Sequence, residues 1–177
     1  NNLAGYRDTR FAVVRYGNVL GSRGSVIPFF KEKAKDGLIP ITDDRMTRFW
    51  LTIEDGVQFV IDSLERMIGG EIFVPKIPSF KVTDVAAVVC PGVKTKIIGI
   101  RPGEKLHEVM ITEDDAQHTL EFETHYAILT PTIGVHSNYP GKGKKVADGF
   151  RFSSDNNGMW HTHETFKKLL LEHGLLD

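Results

Sequence analysis

Phe11-Ala-Val-Val14 is an unbroken apolar run held between Arg10 and Arg15. A strand without polar alternation belongs in a parallel sheet covered on both faces, with neighbours supplied through crossover connections. Almost no chain precedes it, so a large upstream segment is expected to be absent. The next stretch, Tyr16 to Ser25, carries Gly17, Gly21 and Gly24 and reads as a loop. A helix opens at Val26, runs to about Lys35 and stops at Gly37. Leu38-Ile-Pro-Ile41 is extended. Thr52 has the character of an N-cap, with Glu54 and Asp55 in the first turn behind it. Val57, Val60, Ile61, Leu64 and Ile68 then recur at helical spacing, and Gly69-Gly70 ends that helix. Glu71 to Val74 is a strand stopped by Pro75, and Thr83 caps a short helix through Val89. The pattern continues with a strand from Thr95 to Ile100 and a short helix from Lys105 to Met110. Ile111 to Pro140 is less regular, with one extended piece at Tyr126 to Leu129. Ser153 to Gly158 is dense in turn residues. A last helix from about Thr162 to His173 is closed by Gly174. Alternating helix and strand gives an α/β or α+β domain.

The bulk numbers narrow the partners. The chain has 177 residues, 41% hydrophobic and 25% charged, with a formal net charge of −1. That is enough chain for a sizeable core, and it lacks the basic excess of a nucleic-acid binder. No apolar run is long enough for a membrane-spanning helix. Cys90 is the single cysteine, which excludes a disulfide framework and suits a reducing, cytoplasmic compartment. Asn1 to Gly5 lacks the basic start and apolar core of a signal peptide. The absence of an initiator Met also points to a fragment.

The densest chemistry lies at Arg101-Pro-Gly-Glu-Lys-Leu-His-Glu108, directly after an apolar strand. The Arg fork suits phosphate, and Pro102-Gly103 supplies a turn to aim it. Met46-Thr-Arg48-Phe-Trp-Leu51 repeats the idea with a lone Arg before an aromatic run. Two such arginines can clamp one diphosphate; each taken singly reads more readily as a surface ion pair. Asn18 is either a ligand contact at the carboxyl end of a strand or a loop residue bonding its own backbone. Arg15 is read as pairing with an acid at the rim of the sheet. His107 and Glu108 are read as a solvated helix face. The histidines at 118, 125, 136, 161, 163 and 173 are scattered, and His161-x-His163 has no completing ligands, so no metal is expected. Cys90 reads as a small buried residue. The basic loop Lys142 to Lys145 reads as solvated.

Five blocks carry a resemblance: Val14-Arg-Tyr-Gly-Asn-Val, Ser22-Arg-Gly-Ser-Val-Ile-Pro-Phe, Met46-Thr-Arg-Phe-Trp, Glu71-Ile-Phe-Val-Pro-Lys76 and Ile98 to Glu108. The tail Phe152 to Trp160 adds a sixth. Together they resemble the extended short-chain dehydrogenase/reductase superfamily, and within it the polysaccharide-biosynthesis branch of inverting UDP-N-acetylglucosamine 4,6-dehydratases. The resemblance implies an α/β fold comprising the C-terminal part of an NAD(P)-binding Rossmann fold and a smaller substrate-binding domain. It implies oxidation of the sugar at C4, loss of water across C5–C6 and hydride return to C6 with inversion at C5. By resemblance the cofactor is NADP, beside Tyr16, Gly17 and Val19. The UDP-sugar meets Asn18, Ser25, Val26, Pro28, Phe29, Arg48, Arg101 and Glu104. Glu104 either bonds the ribose or orients Arg101. A homo-oligomer is implied for the full-length protein. The glycine-rich cofactor loop, the catalytic acid and the Tyr-x-x-x-Lys pair have no counterpart in these residues, so no catalytic residue is assigned and the chain alone is expected to be inactive. The alternatives are a UDP-sugar 4-epimerase or ketoreductase of the same superfamily, or a non-catalytic sugar-nucleotide-binding module.

Overall fold

The computed structural model describes residues 9–22, 24–129, 139–141 and 143–176. The opening residues considered for a signal peptide, Arg23, His136 and Lys142 lie outside them. The chain forms two units. The first takes the chain up to Tyr16, then Ile53–Lys76 and Val109–Ser153; the second takes Gly17–Thr52, Ile77–Glu108 and Ser154 onward.

In the first unit, β1 (Val13–Val14) pairs in parallel with β5 (Ile72–Pro75), as expected, but Phe11 and Val13 are exposed, so the run is not covered on both faces. β10 (His125–Ile128) runs antiparallel to β5 on its other side, followed by β9 (Thr119–Glu121) and β11 (Lys144–Lys145). A separate antiparallel pair joins β8 (Val109–Ile111) to β12 (Phe152–Ser153). Phe73, Leu120, Ala127 and Leu129 form the core here, with Phe59 and Met67 packed on it. Phe59 comes from α2 (Ile53–Arg66), and Met67 follows it directly. Arg15 meets the acid expected of it: Nη1 lies 3.4 Å from Asp115 Oδ2 and also donates to the Met110 carbonyl at 2.6 Å. Asp115 belongs to α4 (Glu113–Ala116), a single turn held by a capping box from Thr112.

The helical stripe on α2 departs from ordinary amphipathic packing. Gly56 and Ser63 are buried, whereas Val57, Val60, Ile61 and Leu64 are exposed, Leu64 at 68%. Phe59 turns inward, so the small residues seat the helix and the larger apolar ones face outward.

His125 is buried in β10, its ring stacked on Phe122 at 4.6 Å. Burial, and then the nearby charges of Arg66 and Lys76, hold its pKa down from 6.5 to about 4. On lowering the pH, the unfolded chain takes up this proton near pH 6.5 while the folded unit refuses it until about pH 4. Stability from this group is therefore full above the higher value and lost as pH falls toward the lower one. His125→Phe is expected to flatten this part of the curve, by on the order of 1–2 kcal/mol once solvent screening is allowed for. Urea denaturation of both proteins at about pH 7 and about pH 5 checks it; an identical loss in the variant removes His125 as the cause.

In the second unit, β4 (Thr47–Leu51) is flanked by β2 (Asn18–Val19), in parallel, and β6 (Ser79–Lys81), antiparallel. β3 (Leu38–Ile41) pairs in parallel with β7 (Lys94–Ile97). The core joins α1 (Val26–Ala34), α3 (Val82–Val89) and α5 (His163–Glu172) through Ile27, Phe30, Trp50, Phe80, Val85, Phe166 and Leu170. Cys90 is buried beside this core, and burial pushes its thiol pKa up.

Five expectations need correction. Residues 105–110 are not a helix: Leu106 and His107 run irregularly into β8, because their backbone is paired elsewhere. The Leu106 carbonyl accepts from Thr47 N, and the Glu108 carbonyl from Ser154 N. His107 and Glu108 are accordingly not a solvated face. Thr83 does not cap α3, which begins one residue earlier behind Lys81. The strand expected to reach Ile100 ends at Ile97. The segment 16–25, read as loop throughout, contains β2.

Candidate functional site

Side chains alternate across a strand, so Arg48 and Trp50 share one face of β4 while Thr47 and Phe49 take the other. Asn18 stands beside Trp50 in the parallel register of β2 and β4. Opposite, α1 starts behind Ser25, an N-cap in extended conformation whose hydroxyl makes no cap hydrogen bond. Proline at the third helical position, Pro28, has no N–H to satisfy in that first turn. Thr42 and Glu104 close one side, where Thr42 Oγ1 donates to Glu104 Oε1 at 3.5 Å.

These elements enclose a cleft of about 770 Å³ within the second unit. All the residues expected at the substrate, Asn18, Ser25, Val26, Pro28, Phe29, Arg48, Arg101 and Glu104, line it. The size falls within the roughly 300–1,000 Å³ of small-molecule pockets. Tyr16, Gly17 and Val19 do not line it. Gly17 has a steric reason of its own, since a Cβ there would lie 2.5 Å from Phe49 Cβ and 2.7 Å from the Phe49 carbonyl oxygen. That glycine serves the approach of two backbones, and Tyr16 is exposed. Among the described residues, no three His, Cys, Asp or Glu side chains gather as metal ligands.

The two arginines differ in kind. Arg48 is a clip: Nη1 donates to the carbonyls of Thr47 at 2.7 Å and Leu106 at 3.0 Å, and Nη2 to that of Lys105 at 2.8 Å. Its Nε lies 3.6 Å from Glu108. Burial pushes its pKa down, opposed by Glu108 and Glu104. Carbonyls fix the guanidinium, and the Glu108 carboxylate partly offsets its charge in the wall of the cleft. Arg48→Lys keeps the charge and loses the fork. It is expected to cost about 1–2 kcal/mol in denaturant unfolding; an unchanged midpoint would show the clip to be idle.

Arg101 is presented differently. The Glu104 N–H donates to the Arg101 carbonyl at 3.0 Å, with Pro102 second in the turn and Gly103 third at φ 80°. That is the geometry of a type II turn, which demands a positive φ at its third residue. Glu104 Oε2 accepts from the Arg101 N–H at 3.3 Å. Glu104 therefore orients the backbone of Arg101, one of its two expected roles. The Arg101 guanidinium has no hydrogen bond or ion pair among the described residues.

Trp50 and Thr42 also line the cleft and went unread in the sequence. The signal for Trp50 was available, because it lies two residues beyond Arg48 on the same strand.

Comparison with known proteins follows the same lines. The chain is 54% identical over 180 residues to the UDP-N-acetylglucosamine 4,6-dehydratase (inverting) of Campylobacter jejuni, covering 96% of this chain and 54% of that protein. It is 37% identical over 174 residues to the UDP-glucose 4-epimerase of Rickettsia akari, covering 93% and 50%. Pen from Bacillus thuringiensis, a solved structure, matches with a TM-score of 0.82 at 32% identity, over 97% of this chain and 53% of that one. The chain thus spans about half the length of the curated relatives it matches. The described helices include none long and apolar enough to cross a membrane. Residues 1–130 match the family described as Polysaccharide biosynthesis protein. With inverting 4,6-dehydratases among its relatives, as the motif blocks led one to expect, the chain belongs to the polysaccharide biosynthesis protein family.

Proposed function

We propose that this chain is the sugar-nucleotide-binding portion of an NADP-dependent, 5-inverting UDP-N-acetylglucosamine 4,6-dehydratase acting in the cytoplasm as a homo-oligomer. The observation that carries the reading is the convergence of four separated stretches, at 18, 25–29, 48 and 101–104, on one cleft. The identity to the Campylobacter dehydratase supports it. In this reading the Arg101 fork and the buried charge of Arg48 face a diphosphate, and Asn18 lies between them and the sugar. Phe29 and Pro28 supply an apolar wall for a base. A nicotinamide cofactor, when bound, supplies the acceptor and donor of hydride. Tyr16, Gly17 and Val19 lie beside that cofactor, its remaining contacts and the catalytic residues belong to the longer protein, and these 177 residues alone are inactive. The product is a 4-keto-6-deoxy sugar nucleotide for surface polysaccharide or flagellin glycan.

The Rickettsia relatives favour a second reading, a UDP-sugar 4-epimerase. Incubating the full-length protein with UDP-N-acetylglucosamine in deuterated water separates the two by NMR. A 4-keto-6-deoxy product with inverted C5 is expected. A product changed only at C4, with C6 still hydroxylated, would move the protein to the epimerases.

A further inference from the structure

Buried polar side-chain atoms almost always find a partner, and an orphan is a place where a ligand or water belongs. Among the described residues the orphans are Ser25 Oγ, Trp50 Nε1, His118 Nδ1 and His161 Nε2. The first two line the same cleft. Trp50 is 2% exposed. Its ring meets Phe166 edge-on, with centroids 5.6 Å apart and planes at 71°.

We infer that Trp50 Nε1 and Ser25 Oγ are ligand-directed hydrogen-bonding groups, and that the indole N–H donates to a phosphoryl oxygen of a nucleoside diphosphate. An indole N–H can only donate, so its partner must be an acceptor. Among the parts of a sugar nucleotide, placement selects the phosphate. Trp50 shares its face of β4 with Arg48 and stands in register with Asn18, so the acceptor it meets lies in a cleft whose lining carries both Arg48 and Arg101. The inference rests on the sugar-nucleotide reading of the cleft and adds a specificity-determining residue to it.

Trp50→Phe keeps the ring and deletes the donor. In the full-length protein it is expected to weaken UDP binding about five- to tenfold, the scale of one neutral hydrogen bond, and to leave uridine binding unchanged. Its melting temperature should hold or rise, since a buried orphan is removed. In the parent protein, the ¹⁵N-indole resonance of Trp50, assigned with a Trp160→Phe variant, should move when UDP is added. Equal weakening of UDP and uridine would overturn the phosphate assignment. Unchanged UDP affinity, with the indole resonance unmoved, would overturn the inference while leaving the sugar-nucleotide reading intact. Failure of the parent protein to bind UDP at all would overturn both.

Discussion

Phe166→Ala is expected to cost about 3–5 kcal/mol of stability, the range for emptying an aromatic site in a packed core. Phe166 is fully buried on α5 and meets three rings: Phe80 at 4.6 Å, His161 at 5.3 Å and Trp50 at 5.6 Å. Those partners come from β6, from the residue before the cap of α5, and from β4. Truncation would remove a contact shared by three elements, and the stiff rings around it collapse poorly into the space. Denaturant unfolding of the full-length protein checks it. Phe166→Leu should recover more than half of the loss; a loss below 1 kcal/mol for Phe166→Ala would show that this junction is not the keystone of the second unit. The Ala variant should also weaken ligand binding, because Trp50 would lose the support that fixes its ring.

Arg101→Ala is the corresponding expectation for binding. Its guanidinium is free among the described residues and lies on the cleft. Removal should leave stability unchanged and weaken UDP binding by about 1.5–3 kcal/mol, roughly 10–150-fold. Arg101→Lys should restore only part, for want of the bidentate fork. Calorimetric titration with UDP decides it: unchanged affinity would take Arg101 out of the site. The contrast with Arg48 is diagnostic, since there stability and binding should fall together.

The turn that aims Arg101 was legible in the sequence because its causes are local. Pro sets φ for the second position and Gly alone accepts the positive φ of the third. The parallel pairing of Val13 and Val14 was legible for a similar reason, an apolar run with no alternation. The segment 105–110 was not. Lys-Leu-His-Glu-Val-Met has good helical propensity, but its carbonyls are claimed by the side chain of Arg48 and the backbone of Thr47, nearly sixty positions earlier. Local preference loses to such distant partners. The Thr112 capping box could have been found from its Thr-x-x-Asp spacing. The orphaned N–H of Trp50 could not, since lacking a partner is a property of the fold.

The interleaving of the two units has a consequence for how such a chain can change over time. The backbone passes between them five times, after residues 16, 52, 76, 108 and 153. No single cut or splice can lift one unit out whole, so neither can be traded between genes as a cassette, and a crossover anywhere between residues 17 and 153 leaves both units hybrid. The cleft draws on two stretches of the second unit separated by residues 53–76 of the first. New ligand preferences in this lineage should therefore arise by substitution along the existing thread, with each change judged by both units at once.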